Sequence, residues 1–105
     1  TMPARDFIEG LDKKLKAKTL RNINLLKQAG PALREPESKV LDDGIFEIRT
    51  KAGTNLTRIL YFFYVGNRAV LTNGFIKTTR KTPRKEIEKA KKYRDDYLKR
   101  SKENE

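Results

Sequence analysis

With 105 residues and a formal charge of +11, from 25 lysines and arginines against 14 aspartates and glutamates, the chain has room for one small core and carries an excess of positive charge that attracts polyanions. Cysteine and histidine are absent, which excludes disulfides, thiolate nucleophiles, thiolate or imidazole metal ligands and the commonest general base. The longest apolar run, "ILYFFYV" from Ile59 to Val65, falls short of the ~20 residues that cross a bilayer, and without an apolar N-terminal signal segment the expectation is a soluble, cytoplasmic protein with no membrane partner.

Pro3 suits a first helical turn, and Phe7, Ile8 and Leu11 share one face before Gly10 weakens the helix. Asp12 is placed to cap a second helix in which Leu15, Thr19, Ile23 and Leu26 form a stripe with Leu20 at its margin, leaving Lys13, Lys14, Lys16 and Lys27 to solvent. Gly30-Pro31 ends it, and "PALREPESKVLDDG" reads as a linker. Three segments rich in β-branched and aromatic residues follow: 45–50, 56–64 and 68–77. Their connectors, "KAGTN" and "VGN", are short, so an antiparallel meander is expected with the second strand in the middle. In that strand Leu60 and Phe62 face one way and Ile59, Tyr61 and Phe63 the other. Thr82 as N-cap and Pro83 as first helical residue open a C-terminal helix whose stripe is Ile87, Ala90, Tyr97 and Leu98, with Tyr93 at its edge, and residues 101–105, "SKENE", read as a polar tail. The fold class is α+β: a single domain over residues 1–105, with a small antiparallel meander, two N-terminal helices and a C-terminal helix.

The charge is not evenly spread. Between Phe75 and Arg100 there are 11 basic and 4 acidic residues, which supply +7 of the +11. Arg58 stands out in an otherwise apolar strand, and Lys77, Arg80 and Lys81 sit in the strand-to-helix corner near a helix N-terminus that also favours anions. With Arg49, these cations can hold a phosphate and stabilise charge on a phosphorane-like transition state. RNA brings its own nucleophile, the 2′-hydroxyl, so orientation and charge neutralisation suffice without histidine or metal. Glu47 shares a side of its strand with Arg49, as a base, an orienting group or a simple ion-pair partner. The tyrosines, Tyr61 among them, are able to stack on bases, although their places on apolar stripes favour the core. Arg84 and Lys85 begin a Lys/Arg face on the last helix that either follows a nucleic-acid backbone or is only solvated.

Three separated motifs, "DGIFEIRTKAG", "TRILYFF" and "NGFIKTTRKTPRKEIEKA", closely resemble the phage-derived RelE/HigB-like toxin family of the RelE/ParE superfamily, in register from about Pro3 to Tyr97. The resemblance implies an antiparallel sheet flanked by helices. It further implies a toxin of a type II toxin–antitoxin pair that cleaves messenger RNA at the ribosome without a cofactor and is silenced by a cognate antitoxin, often of helix-turn-helix type. By position it assigns Arg58 to the arginine that contacts substrate phosphate, Lys77 to the basic residue after the last strand and Lys81 to the Lys-Thr-Pro corner, a catalytic set. Arg49, Arg80, Arg84 and Lys85 are then candidate RNA contacts, with Glu47 and Tyr61 of open role. Two departures from the family pattern stand out: Thr78 replaces a usual lysine, and the family's β-strand before the first helix has no counterpart in residues 1–105, which leaves a sheet edge for an antitoxin segment to cover. A gyrase-poisoning toxin of the same fold and a non-catalytic RNA- or ribosome-binding module are the alternatives.

Overall fold

Local signals set the first two helices. Residues 3–78 and 80–103 are described by the computed structural model, in which α1 spans Pro3–Glu9 and α2 spans Lys13–Ala29. Asp12 Oδ1 accepts the Leu15 N–H at 2.9 Å, satisfying one of the otherwise unpaired donors of the first turn. Gly30 ends α2 at φ 56°, a left-handed conformation that glycine adopts without steric cost, and a single 3-10 turn, Gly30–Ala32, follows.

Four strands then form an antiparallel sheet in the order β1-β2-β3-β4, with β1 at Ser38–Asp42, β2 at Ile45–Ala52, β3 at Asn55–Tyr64 and β4 at Arg68–Ile76. The expected meander is its last three strands, with 56–64 in the interior. The segment read as a linker contains β1, a correction with a plain cause. β1 is a five-residue edge strand with a register shift between Val40 and Asp42, its Val40 is 61% exposed, and it lacks the alternation that marks a half-buried strand. Asp43 and Gly44, both at positive φ, make the tight turn into β2.

Both sheet faces are covered. Ala4, Ile8 and Leu26 of α1 and α2 pack against Ile48, Ile59 and Tyr61 on one face, while Ala90 of α3 packs with Ile45, Leu60 and Phe62 on the other. α3 runs from Arg84 to Glu103, so residues 101–103 continue the helix where a polar tail was expected; residues 104 and 105 lie outside the described residues. Thr82 is not its cap. The Pro83 carbonyl takes the Glu86 and Ile87 N–H groups, and the Thr82 hydroxyl donates to Glu47 Oε1 instead. Of the expected α3 stripe, Ile87 and Ala90 are buried and Tyr97 packs on the core, whereas Leu98 is 40% exposed and Lys91 and Arg94 are half-buried in addition. The cause is the β1–β2 turn: Asp42 pairs with Lys91 and Arg84, each at 2.9 Å, and Asp43 with Arg94 at 2.8 Å. Hydrogen bonds from Lys91 and then Arg84 hold the Asp42 carboxyl below its ordinary range, and the Asp42 bond raises Lys91 in turn.

β1 and β4 are the outer strands. Between α1 and α3, a largely apolar groove of about 610 Å³ runs along Val70, Leu71 and Thr72 of β4. Among the described residues no helix is long and apolar enough to cross a membrane.

Gly74 of β4 lies under Phe7 of α1, where an added Cβ would fall 2.3 Å from Phe7 Cδ2 and 2.8 Å from two further ring carbons. Gly74→Ala is therefore expected to push α1 off the sheet and cost ~1–3 kcal/mol by overpacking. Urea melts of Gly74→Ala, Phe7→Leu and the double variant check this. The double variant should recover part of the loss, and simple additivity would show that the ring is not the obstacle.

Candidate functional site

Strand register gathers the cations. Arg49 of β2 is opposite Arg58 of β3, Arg58 is opposite Phe75 of β4, and the Lys77 N–H donates to the Leu56 carbonyl at 2.8 Å, carrying the ladder past β4. Residues opposite one another share a face and the direction alternates along each strand, so Glu47, Arg49, Arg58 and Lys77 all lie on the α3 side of the sheet. α3 does not cover them. Its N-terminal approach meets the sheet at Thr82 on Glu47, and the helix then runs over Ala90 to Tyr97, which packs on Phe62 and Tyr64. Beyond Thr82 the face is only partly covered: Arg49 and Lys77 are half-buried, while Glu47 and Arg58 beneath them are buried.

Glu47, 1% exposed, is the centre of the arrangement. Its Oε2 is 3.5 Å from Arg49 Nε and 3.6 Å from Arg58 Nε, and its Oε1 takes the Thr82 hydroxyl. Arg49 also reaches Glu35 Oε1 at 3.2 Å. Arg58, 5% exposed, donates from Nη1 to the Thr57 carbonyl at 2.8 Å, whereas its buried Nε–H has no hydrogen-bond acceptor among the described residues. A buried guanidinium donor without an acceptor is costly unless a ligand completes it. Beside it an open groove of about 320 Å³ is bounded by Arg49, Lys51, Leu56, Arg58, Glu37 and Asn22, among others. Burial lowers the Arg58 pKa, opposed by Glu47 and assisted by Arg49. Burial, then Arg58, lowers the Lys77 pKa, with Glu47 opposing and Arg49 and Lys39 adding to the fall. Arg49, Arg58, Lys77 and Lys39 thus surround Glu47, with Glu35 reaching Arg49 from the exposed side, and the excess of positive charge favours an incoming anion.

The remaining sequence candidates are placed differently. Tyr61 belongs to the opposite face: it is buried in the core against Phe46 and Phe63 and its hydroxyl is hydrogen-bonded to Ser38, so it does not reach the groove. Even its parity relative to Arg58, an odd separation along one strand, puts it there. Arg84 is committed to Asp42 and Glu88. Arg80, Lys81 and Lys85 are exposed in the corner and the first turn of α3. Sequence reasoning missed Lys39, because β1 was read as linker, and Thr82, because its type and place fit a helix cap. Pairing of Lys39 with Glu47 across β1 and β2 brings that lysine to the same face. Among the described residues no group of three or more aspartates and glutamates gathers in a way that could hold a metal ion.

The depressed Lys77 pKa has a stability consequence whose sign is opposite to that of a paired lysine. The folded state disfavours the ammonium, so in the interval between the lowered folded pKa and the ordinary value the unfolded chain binds more protons and stability rises with pH. Lys77→Met is therefore expected to raise the melting temperature at neutral pH, with the advantage fading above about pH 10.4, where lysine is neutral in both states. Melts of the two proteins across that range test this, and a variant less stable at pH 7 would show that Lys77 is held by attraction instead.

Among curated proteins, none matches the chain. A family model does, over residues 6–95, taking in the end of α1, all of α2, the sheet with its cationic face and the first part of α3. By that match the chain belongs to the family described as phage derived protein Gp49-like.

Proposed function

We propose that the chain is the toxin of a type II toxin–antitoxin pair and that it acts as a RelE/HigB-like endoribonuclease, cutting messenger RNA on the ribosome. The observation that carries this reading is the convergence of Arg49, Arg58 and Lys77 around the buried Glu47, beside a groove that Arg49 and Arg58 line. A scissile phosphate seated there meets two guanidinium groups suited to bidentate contact and one ammonium. The message's 2′-oxygen attacks phosphorus, the bond to the 5′-oxygen breaks, and the products are a 2′,3′-cyclic phosphate and a 5′-hydroxyl. The proton lost by the 2′-hydroxyl is balanced by the proton gained at the leaving oxygen. Arg58 and Lys77, with Lys81 from the corner, offset the charge that grows on the phosphoryl oxygens, and the arginines are fixed before the reaction by Glu47, so little reorganisation is needed. Glu47 is thereby an orienting group. The ribosome as the place of action and a helix-turn-helix antitoxin as the partner rest on the resemblance of the three sequence motifs.

The test is cleavage of a defined message on programmed ribosomes, mapped by primer extension. Discrete stops within codons, absent for Arg58→Ala and Lys77→Ala, are the expected result. Folded protein that gives no stops yet arrests growth in cells would overturn the nuclease reading and favour a gyrase-type target.

A further inference from the structure

The two long helices carry their charge in different ways. α3 has nine cations and five carboxylates, and Arg84, Lys89, Lys91, Arg94 and Arg100 are all in ion pairs within the helix or with the β1–β2 turn. α2 has six cations and no carboxylate, and among the described residues none of the six takes part in an ion pair. The dense C-terminal charge visible in the sequence is thus partly neutralised, while the sparser charge of α2 has no ion-pair partner among the described residues. A row of like charges three and four residues apart destabilises a helix, so keeping it has a cost to the fold.

Lys14, Lys18 and Arg21 fall at i, i+4 and i+7 on one exposed flank of α2, a row ~10 Å long at 1.5 Å rise per residue. That flank lies against the end of β2 that bears the candidate groove. Lys18 Nζ reaches the Lys51 carbonyl at 3.5 Å, and Asn22 Nδ2 donates to the Arg49 carbonyl at 2.9 Å and to Thr50 Oγ1 at 3.2 Å. β1 pairs with β2 as far as Ser38 opposite Ile48, and the Glu37 carbonyl takes the Arg49 N–H at 2.8 Å; past that bond β2 has no strand beside it on this side, and the groove runs along it from Asn22 to Arg58. The basic strip is therefore continuous from the α2 flank over Lys51 to Arg49 and Arg58.

We infer that this flank is a second phosphate track, which holds the backbone of a folded RNA while the groove holds the scissile strand. The inference rests on the RNA reading of the groove and adds a separate surface to it. Charge complementarity selects the occupant: the row presents lysine and arginine with no large exposed apolar side chain among them, whereas the core of a protein interface is depleted in lysine and rich in aromatics. The large exposed apolar residue of α2, Leu20, lies on the other flank beside the β4 groove.

The test compares Lys14→Gln/Lys18→Gln/Arg21→Gln with Lys92→Gln/Lys99→Gln/Lys102→Gln, an equal loss of charge on exposed α3 positions. The probe is a fluorescent RNA hairpin with a single-stranded 3′ extension, titrated at several potassium chloride concentrations, with melts confirming that each protein is folded. Each lost phosphate contact lowers the slope of log affinity against log salt by roughly 0.7 to 0.9, so the α2 triple variant should lose about two to three in slope. The α3 triple variant should stay within about one of the wild type. Equal losses in the two variants would reduce the effect to net charge and overturn the inference, as would an unchanged slope for the α2 variant or failure of the wild type to bind the hairpin. Binding to polyglutamate that depends on α2, with no such dependence for RNA, would assign the flank to an acidic protein and also overturn it. Cleavage is scored separately. Binding that depends on α2 in a protein that cuts no message upholds this inference and overturns the nuclease reading. Unaltered cutting and slope after α2 neutralisation do the reverse.

Discussion

Alanine at Arg58 is expected to lower the rate of message cleavage on programmed ribosomes by roughly 10²–10³-fold, the usual effect of deleting one group that stabilises transition-state charge. The guanidinium is nearly buried beside Glu47, and its Nε–H has no acceptor within the described protein. On the proposed function, this guanidinium is the group that meets substrate phosphate. Arg58→Lys keeps a charge and loses the planar fork, so an intermediate rate is expected, nearer to alanine if two-point contact matters and nearer to wild type if charge alone does. A circular dichroism melt separates this from unfolding, since Glu47 keeps Arg49 and Thr82 when Arg58 is removed. Wild-type cleavage by a folded Arg58→Ala protein would move the site elsewhere.

Glu47→Ala should have the largest effect on stability. Its carboxylate is buried, joins β2 to β3 and to the approach of α3, and is the shared counter-charge of Arg49 and Arg58. Breaking such a group by removing one member leaves buried charge uncompensated, at a cost of ~3–5 kcal/mol. For a domain of this size that corresponds to a fall in melting temperature on the order of 20 °C. Glu47→Gln keeps an acceptor for Thr82 and should lose less. Glu47→Met combined with Arg58→Met removes the charge and its counter-charge together, and is expected to regain most of the stability while remaining without cleavage. A double variant no more stable than Glu47→Ala would show that Thr82, and not the arginines, makes the carboxylate important.

What could be read from the sequence was what is local. The Asp12 cap, the Leu15–Leu26 stripe and the stop at Gly30 each depend on residues within a turn or two, and each stands in the fold. Arg58 was legible because a lone cation in an apolar strand contrasts with its neighbours, and Glu47 with Arg49 because parity along a strand fixes their side. Strand β1 was not, since an exposed edge pairing on one side needs no apolar pattern. The Thr82–Glu47 bond joins residues 35 apart in sequence, and only the register of β2 against the α3 approach brings them together. The basic C-terminal quarter misled for a related reason: the carboxylates that neutralise much of it come from the β1–β2 turn as well as from the helix itself.

The two rims of the sheet differ, and this limits how the molecule can associate through its backbone. β1 is five residues long and kinked by its register shift, which makes it a poor template. β4 offers nine residues beside an apolar groove. Within residues 3–103 the sheet therefore offers its longer rim at β4, although β4 also carries a register shift opposite Ile59 and Tyr61.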